Sequence, residues 1–436
     1  MRLKTWAALA AVLTLPILNG CGDENAQKGF VRIVNATTEY ASLDLYTLNS
    51  SGGNDLVVSG TAPNTASAYQ DIDKGSYTFE VTSSTSAGAP IPAIGSVSKT
   101  NHFSVVTYLT GTATRTQFLS DEEAHPANAK AKLRVFNAAT SEAPSVDVYL
   151  ITSNCSALAV TDTAFATAVT GLQTTFTQVT ASSAGTAYHA CVFAAGDNVS
   201  LLLDIPALKL KDQEIATLIL THTAGGVLLN GAVLDQQGAY LAYPSSLARV
   251  RVVADAQAAA QVSVTVNGTT LANGTPSPSV GDYTTVAVGA LNPTITIDTG
   301  TATGFTSLPA TAAGGDYTLL VTGNAGAPAA TLITDTNTPS TSTTNTVRAR
   351  VINGLNGTNG SVSVTIDGKP IGSANFGLAS SYTNILPSSG TSSVHATTTG
   401  VQPVDLNSKT FSAGTVNTVF VYGDASAPVI APVIDR

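Results

Sequence analysis

The chain has 436 residues, a length that exceeds one small hydrophobic core and suits several domains of about 100 residues each. Hydrophobic residues make up 43% of it, which excludes an intrinsically disordered protein, because such a chain buries enough apolar surface to offset its ordering entropy. The formal net charge is −9 and no basic cluster is interleaved with aromatic residues, which excludes nucleic acid as a partner bound through charge.

The N-terminus predicts export. Arg2 and Lys4 precede an uncharged apolar run, residues 6–18, which is too short for a comfortable membrane span and typical of a signal peptide. The run ends in Leu18-Asn19-Gly20-Cys21, which resembles the bacterial lipobox, a cleavage site followed at once by the cysteine that becomes acylated. Residues 1–20 are therefore predicted to be a lipoprotein signal peptide. An ordinary signal peptide with an incidental cysteine is the alternative.

Cys21 is accordingly the predicted lipidation site and membrane anchor. Stable anchoring takes more than one acyl chain, such as palmitate, because each buried CH₂ contributes only roughly 0.8 kcal/mol. Residues 21–29 would form a short polar tether. Gly22, rather than an aspartate, follows the cysteine and favours transfer to the outer membrane. The predicted location is the cell envelope, with the outer membrane as the more specific expectation.

Cysteine usage predicts one disulfide. If Cys21 is acylated, Cys155 and Cys191 remain as a pair in an oxidising compartment. Two buried free thiols, or a metal pair that lacks companion ligands, are the alternatives. A disulfide here would close a loop inside one predicted domain and stabilise it by roughly 3–4 kcal/mol.

Four internal repeats determine the predicted architecture. Each opens on an apolar strand that contains one arginine and continues with a second, alternating strand. The arginine stands 12 or 13 residues before an Asp or Ser of that second strand. The opening segments are 31–36, 133–138, 250–254 and 350–354, and the second strands are 43–46, 146–149, 262–266 and 362–366. Recurrence at this spacing indicates tandem domains of one kind.

Turn chemistry and strand patterning predict the fold class. Asn267-Gly268 and Asp367-Gly368 directly follow alternating strands, which is a strong signal for a two-residue hairpin. Alternation of apolar residues with Ser, Thr or Asp indicates strands buried on one face, and no segment keeps a period of 3.6 residues. The prediction is an all-β chain of four tandem Ig-like β-sandwich repeats, each with about seven short strands.

Breaks in the pattern place the domain boundaries. The predicted β-sandwich repeats are 30–120, 131–243, 247–334 and 347–436. A charged joint, 121–130, separates the first two, and a Thr/Ser-rich linker, 335–346, precedes the fourth. We expect this linker to contribute to neither flanking core, and we therefore expect repeat 4 to fold on its own.

Four segments carry a resemblance to a known family. The V-R-V-x-N-A opening, the V-D-V-Y second strand, the G-x-Y-T strand from Gly75 and the stretch from Ala413 to Gly423 resemble the bacterial family called domain of unknown function 4397. The resemblance covers nearly all of the predicted mature chain and is strongest in repeats 1 and 4. Ser263 and Ser363 depart from the family's usual aspartate. The resemblance implies a cell-envelope protein with Ig-like folds, and it transfers no catalytic residue.

The motifs of common enzymes are missing from the sequence. It contains neither the G-x-S-x-G of a serine nucleophile nor a phosphate-binding P-loop. The five histidines occur singly and without metal-ligand spacing, at 102, 125, 189, 222 and 395. The predictions are therefore no enzyme, no metal site and no cofactor.

Two acidic groupings have competing interpretations. Asp71 and Asp73 resemble the start of a calcium loop, but they lack the later acidic ligands and are better explained by a turn. The densest polar cluster, in the joint 121–130, is interpreted as a solvated linker, with a weak divalent-metal site as the alternative. Its members are Asp121, Glu122, Glu123 and His125.

The arginines of the opening strands also have two interpretations. Arg32 with Asp44, and Arg134 with Asp147, are expected to form partly exposed ion pairs worth about 0–1 kcal/mol. The alternative is that the arginines anchor a ligand.

The predicted function is that of a non-enzymatic cell-envelope lipoprotein whose tandem repeats serve structural or adhesive binding. Repetition multiplies weak contacts through effective concentration, and Thr/Ser-rich strand faces suit polar ligands. The expected partners are the membrane, through Cys21, and a glycan or an envelope protein. The alternative is a periplasmic accessory or binding subunit of a membrane or secretion complex.

Overall fold

The computed structural model describes residues 27–48, 53–84, 89–111, 113–159, 161–303, 305, 308–338, 346–358 and 360–436. The predicted signal peptide and Cys21 lie outside these residues. The described residues form β-strands that assemble into eight sheets, two for each repeat, and the all-β prediction is confirmed. Among them, no helix has the length and apolar character that a membrane span requires.

Repeat 1 is a sandwich of an inner and an outer sheet. The inner sheet has the order β4-β1-β8-β9, with β5 also paired to β1, and the outer sheet has the order β3-β2-β6-β7. Its strands are β1 Lys28–Asn35, β2 Leu43–Leu48, β3 Asn54–Thr61, β4 Thr65–Ala66, β5 Gln70–Asp73, β6 Gly75–Ser83, β7 Ile91–Val97, β8 His102–Thr110 and β9 Ala113–Ser120.

Repeat 2 has the same plan with one strand added to the inner sheet. The inner order is β13-β10-β16-β17-β18 and the outer order is β12-β11-β14-β15. A 3₁₀ helix, Cys155–Ala157, follows β11. The strands are β10 Lys130–Asn137, β11 Val146–Ile151, β12 Ala166–Val169, β13 Thr177–Thr180, β14 Thr186–Ala194, β15 Leu201–Leu210, β16 Ile215–Thr221, β17 Asn230–Asp235 and β18 Tyr240–Tyr243.

Repeat 3 returns to the plan of repeat 1. Its inner sheet has the order β22-β19-β26-β27, with β23 also on β19, and its outer sheet has the order β21-β20-β24-β25. Its strands are β19 Leu247–Ala256, β20 Gln261–Val266, β21 Thr269–Pro276, β22 Ser279–Val280, β23 Thr284–Ala287, β24 Pro293–Ile297, β25 Gly300–Ala302, β26 Asp316–Asn324 and β27 Ala327–Asp335.

Repeat 4 has four strands in each sheet. The inner order is β31-β28-β34-β35 and the outer order is β30-β29-β32-β33. Its strands are β28 Val347–Asn353, β29 Val362–Ile366, β30 Lys369–Ala374, β31 Thr383–Ile385, β32 Ser392–Thr397, β33 Val404–Lys409, β34 Val416–Asp424 and β35 Ala427–Ile434.

The opening strand of every repeat lies inside its inner sheet and is buried on both faces. In repeat 1, β1 pairs in parallel with β8, so that Arg32 stands opposite Ser104. Val31 and Ile33 enter the core of repeat 1, whereas Val34 joins a second apolar cluster on the other face. Strands covered on both faces read as nearly continuous apolar runs, which explains the V-R-V-x-N-A opening.

The second cluster shows that the sandwiches associate in pairs through their inner sheets. Val34 and Val106 of repeat 1 pack with Phe136 and Ile219 of repeat 2. The same arrangement joins repeat 3 to repeat 4, where a cluster contains Val253, Leu320, Ile352, Phe420 and Tyr422. Each repeat does have its own core, as predicted, but it also shares a second one with its neighbour. That a repeat can fold on its own stays a prediction.

The direction of the chain explains how the pairs are joined. We call the end of a sandwich where its opening strand begins the base, and the opposite end the tip. The chain leaves repeat 1 at its base, where the Asp121 amide donates to the His102 carbonyl, and a short joint leads to the base of repeat 2. The extra strand β18 then carries the chain from the base of repeat 2 to its tip, where the Ser245 amide donates to the Asn230 side chain.

Repeats 3 and 4 consequently place their bases against the tip of repeat 2. The Asn337 amide donates to the Gly225 carbonyl over 3.0 Å, and the Arg436 guanidinium donates to the carbonyls of Ser141 and Gly226. The two pairs therefore stack end to end.

The predicted linker 335–346 requires a correction at its start. Asp335 is the last residue of β27 and is 1% exposed, and Asn337 is fully buried. The segment therefore supplies polar side chains to the contact between repeats 3 and 4, although its Thr/Ser composition suggested a solvated linker. Residues 339–345 lie outside the described residues.

Candidate functional site

A set of four side chains recurs at the contact face of the inner sheets. It consists of the arginine of the opening strand, a Ser or Thr directly opposite on the closing strand, an acid at the end of the last strand and an aromatic ring over the guanidinium. Repeats 1, 3 and 4 contain the complete set, namely Arg32, Ser104, Asp121 and Tyr69; Arg251, Thr318, Asp335 and Tyr283; and Arg350, Thr418, Asp435 and Tyr382.

Between repeats 3 and 4 the sets exchange partners. Arg251 of repeat 3 donates to Asp435 of repeat 4 over 2.5 Å, and Arg350 of repeat 4 donates to Asp335 of repeat 3. All four side chains are almost fully buried. Burial is the largest single effect and disfavours the charge on Arg350, but Asp335 together with Tyr382 and Asp435 raises the pKa of the guanidinium. The result is a buried network of two cations and two anions that fixes one sandwich against the other.

In repeat 1 the arginine and its acid come from the same sandwich. Arg32 lies 3.8 Å from Asp121, which also accepts hydrogen bonds from Ser104 and Tyr69 over 2.5 and 2.6 Å. The same guanidinium crosses to repeat 2 and donates to the carbonyls of Asp235 and Gly238. Asp121 is 3% exposed, so its interpretation as part of a solvated linker is wrong.

In repeat 2 two members of the set are replaced by other residues. Arg134 still contacts Thr217 over 2.9 Å, but Phe176 takes the place of the tyrosine, and Gln236 takes the place of the acid. In repeats 1 and 3 the tyrosine hydroxyl donates to the carboxylate, and Phe176 and Gln236 replace both partners of that hydrogen bond in repeat 2. Across the interface Arg134 donates to the Ser120 carbonyl over 3.4 Å.

Asp44 and Asp147 do not pair with the arginines, and that prediction is wrong. Both lie on the outer sheets and accept backbone hydrogen bonds at β-bulges. Asp44 accepts from the Gly60 amide and Asp147 from the Ala168 amide, each over 2.7 Å, next to register shifts in the paired strands. Ser263 accepts in the same way from Gly274 in repeat 3. The Asp or Ser of the second strand therefore secures a bulge.

The predicted disulfide is present. Cys155 and Cys191 are bonded, with their Cα atoms 5.6 Å apart, and join the 3₁₀ helix to β14. Within the described chain, Asp204 lies close enough to both sulfurs to suggest a metal site, but sulfurs bonded to each other are not thiolate ligands.

Most histidines have carboxylate partners, which their scattered positions in the sequence did not indicate. The four pairs are His102 with Glu122, His189 with Asp204, His222 with Glu142 and His395 with Asp405, at 2.7–3.1 Å. His125 instead contacts the Gln213 carbonyl over 3.3 Å. Lys132 binds the Glu123 carboxylate, so members of the predicted acidic cluster have protein partners.

Asp71 and Asp73 lie on strand β5, where a turn was expected. Asp71 accepts from the Lys28 ammonium group over 2.6 Å, and the Asp73 carbonyl accepts from the Tyr77 hydroxyl over 2.8 Å. These contacts account for both residues without a calcium ion.

A buried acid stands apart from the arginine networks. Asp255 is 0% exposed and lies at the contact between repeats 3 and 4, opposite Gly354. One oxygen accepts from the Gly423 amide over 2.7 Å, and the other, Oδ2, has no hydrogen-bond partner among the described residues. Burial raises the pKa of this carboxyl to about 8. The group is therefore protonated in the folded protein at neutral pH.

Two cavities open on the described surface. The larger, about 880 Å³, lies in repeat 2 between β15 and β18 and includes Asp235, Glu214 and Leu241 in its lining. The smaller, about 500 Å³, lies where the two pairs meet and includes Tyr40, His222 and Arg348.

Comparison with known proteins adds a family and two distant structures. A family model described as domain of unknown function 4397 matches residues 29–149 and 248–354, just over half of the chain. The match falls on repeats 1 and 3 and on the openings of repeats 2 and 4, whereas the sequence motifs had suggested repeats 1 and 4. No curated protein matches the sequence.

Among solved structures, a Bacteroides uniformis protein assigned provisionally to cell adhesion is 12% identical, with a TM-score of 0.21. The similarity covers 48% of this chain and 97% of that one. The Bacillus anthracis TIE protein is 10% identical, with a TM-score of 0.15, over 88% of this chain and 69% of its own. At such TM-scores neither similarity supports an inference about this chain.

Proposed function

This chain belongs to the family described as domain of unknown function 4397, and on that premise we propose that it is a non-enzymatic cell-envelope lipoprotein. In this proposal Cys21 carries the lipid anchor, and the two stacked sandwich pairs form a stiff support that presents outer sheets to polar ligands, glycans above all. The anchor would hold the protein at the outer membrane.

One observation carries the proposal: the buried ion pairs between repeats 3 and 4 hold one sandwich against the other. Arg251, Arg350, Asp335 and Asp435 are spent on one buried contact, and a buried ion pair fixes geometry more than it adds stability. Fixed geometry is what a display protein needs, because several weak sites increase avidity only when all can engage at once.

The outer sheets supply the surface for such binding. Their solvent faces alternate Thr and Ser with buried apolar residues, as in β24, where Thr294 is exposed and Ile295 is fully buried. Hydroxyl-bearing faces offer both donors and acceptors to a sugar.

The anchor is tested by fractionation. Cys21→Ser should move the protein from the membrane to the soluble fraction, because the lipid would be lost. A Cys155→Ser/Cys191→Ser variant is the matched control and should stay in the membrane. If the Cys21 variant still sediments with membranes after a salt wash, lipid anchoring at this residue is wrong.

Ligand binding is tested with the lipidated protein in detergent, applied to a glycan array and, in parallel, used as bait in intact envelope. Binding to a defined group of glycans supports the adhesive proposal. Recovery of one stoichiometric envelope protein, without glycan binding, would refute it in favour of an accessory subunit.

A further inference from the structure

The larger cavity exists because the two sheets of repeat 2 differ in width. The inner sheet has five strands and the outer sheet four, so β18 extends beyond the edge of the outer sheet, β15. Leu241 of β18 stands opposite Val233 of β17 and therefore shares its core-facing side. Val233 is buried, but Leu241 is 56% exposed, because nothing in the described outer sheet lies over it. Leu241 thus forms an apolar ledge that is exposed to solvent, although it lies on the core-facing side of the inner sheet.

A pair of carboxyl groups stands at the base end of this ledge. Asp235 and Glu214 both line the cavity, and burial together with the neighbouring Glu214 raises the pKa of Asp235 to about 7. A protonated carboxyl donates a hydrogen bond and an ionised one accepts, so an acid with a pKa near neutrality can offer either to a ligand. Glu214 is held in position by the Lys211 amide, which donates to it over 2.6 Å.

Repeat 1 holds the wall of this cavity in place. Arg32 donates to the carbonyls of Asp235 and Gly238 in the turn between β17 and β18. The Gln236 side chain in that turn exchanges two hydrogen bonds of 2.8 Å with the Glu123 backbone. The cavity is therefore preorganised by the pairing of repeats 1 and 2, which reduces the entropic cost of binding.

The charges around the cavity nearly cancel. Lys209 and Lys211 share the lining with Asp212, Asp235 and Glu214, and the raised pKa of Asp235 reduces the negative charge. An anionic or a strongly cationic ligand gains little from such a lining. Asp235 and Glu214 also belong to no group of three metal-ligating side chains among the described residues, which disfavours a divalent cation.

We infer that this cavity binds a neutral saccharide, with the C–H face of a sugar ring on Leu241 and Tyr243 and vicinal hydroxyls on Asp235 and Glu214. The inference deepens the proposed adhesive function and rests on it. The cavity volume of about 880 Å³ lies within the range of small-molecule sites and would admit a disaccharide.

The test uses the full-length lipidated protein in detergent and titrates glucose, galactose, N-acetylglucosamine, maltose and cellobiose by calorimetry and saturation-transfer NMR. Leu241→Lys changes an exposed ledge residue and should not disturb folding, and Asp235→Asn with Glu214→Gln removes both carboxyl groups. Each variant should weaken binding at least about tenfold. The control Asp405→Asn alters an exposed acid of repeat 4 and should leave binding unchanged.

Several outcomes would overturn the inference, and they separate it from the proposed function. Saccharide binding that survives both variants would leave the adhesive function standing and remove this cavity from it. Heat from calcium chloride but from no sugar would identify a cation site instead. If the array shows no glycan binding and the titrations show none, both proposals fail together.

Discussion

Replacing Asp255 by asparagine should stabilise the protein at alkaline pH and remove part of its pH dependence. The folded protein keeps this carboxyl protonated up to a pKa of about 8, whereas the unfolded chain releases the proton near the ordinary value of 3.8. Both states therefore hold the proton below about pH 4, and both have released it above about pH 8. Between about pH 4 and pH 8 this carboxyl ionises in the unfolded chain but stays protonated in the folded protein. The free energy of unfolding therefore falls as the pH rises through this range.

The magnitude follows from the width of that window. At about 1.4 kcal/mol per pH unit, the interval from 3.8 to about 8 gives an upper limit of roughly 6 kcal/mol for the loss. Asparagine preserves the shape and the acceptor that binds the Gly423 amide, and it cannot ionise. The variant should match the wild type near pH 4 and exceed it increasingly up to pH 8.

The assay is urea unfolding at pH 5 and pH 8, followed by far-UV circular dichroism. Fluorescence is unsuitable because the single tryptophan, Trp6, lies in the predicted signal peptide. Other groups titrate in this range, so the quantity of interest is the difference between wild type and variant. Glu39→Gln, at an exposed acid of repeat 1, is the control. Equal slopes of stability against pH for wild type and Asp255→Asn would refute the reasoning.

Three further predictions concern the interfaces and the disulfide. Arg350→Met should destabilise the protein by about 3–5 kcal/mol because it removes the nearer cation of the buried Asp335 and leaves it Arg251, 3.7 Å away. Arg134→Met, at the position without an acid, should cost about 1 kcal/mol, and similar losses for the two variants in thermal unfolding would contradict this. Cys155→Ala with Cys191→Ala should cost roughly 3–4 kcal/mol of repeat 2 stability, given the separation of 36 residues, and an unchanged melting temperature would count against it. Cutting at a protease site placed within 339–345 should nick the chain without releasing repeat 4, because Ile352 and Phe420 are buried against repeat 3; elution of free, folded repeat 4 on gel filtration would show that the pairing is weak.

The sequence sufficed for the fold class, the repeats and the disulfide, because each depends on local patterning or on counting. Asn267-Gly268 and Asp367-Gly368 form the predicted hairpin turns, and both Asn267 and Asp367 adopt a positive φ, as such turns require. The alternation of the second strand places Asp44 on the outward face, but it does not identify the Gly60 amide as the partner of this carboxylate. A bulge in the neighbouring strand cannot be located from the sequence of one strand alone.

The pairing of sandwiches was missed, although a signal for it was present. In the opening strand Arg32 alternates with Val31 and Ile33, but Val34 breaks that alternation and places an apolar side chain on the second face. A strand buried on both faces was therefore indicated. Asp121 follows β9 and Asp335 ends β27, yet their partners come from elsewhere in the chain, so their burial could not be deduced from neighbours in sequence.

The position of Arg436 has a practical consequence for labelling. Arg436 is wedged between the two pairs, with its guanidinium on the carbonyls of Ser141 and Gly226. A purification tag or fluorescent protein fused there would emerge at the waist of the molecule and push the stacked pairs apart. The turn at Gly326, between β26 and β27, lies at the free tip of repeat 3 and is the better insertion point for a reporter.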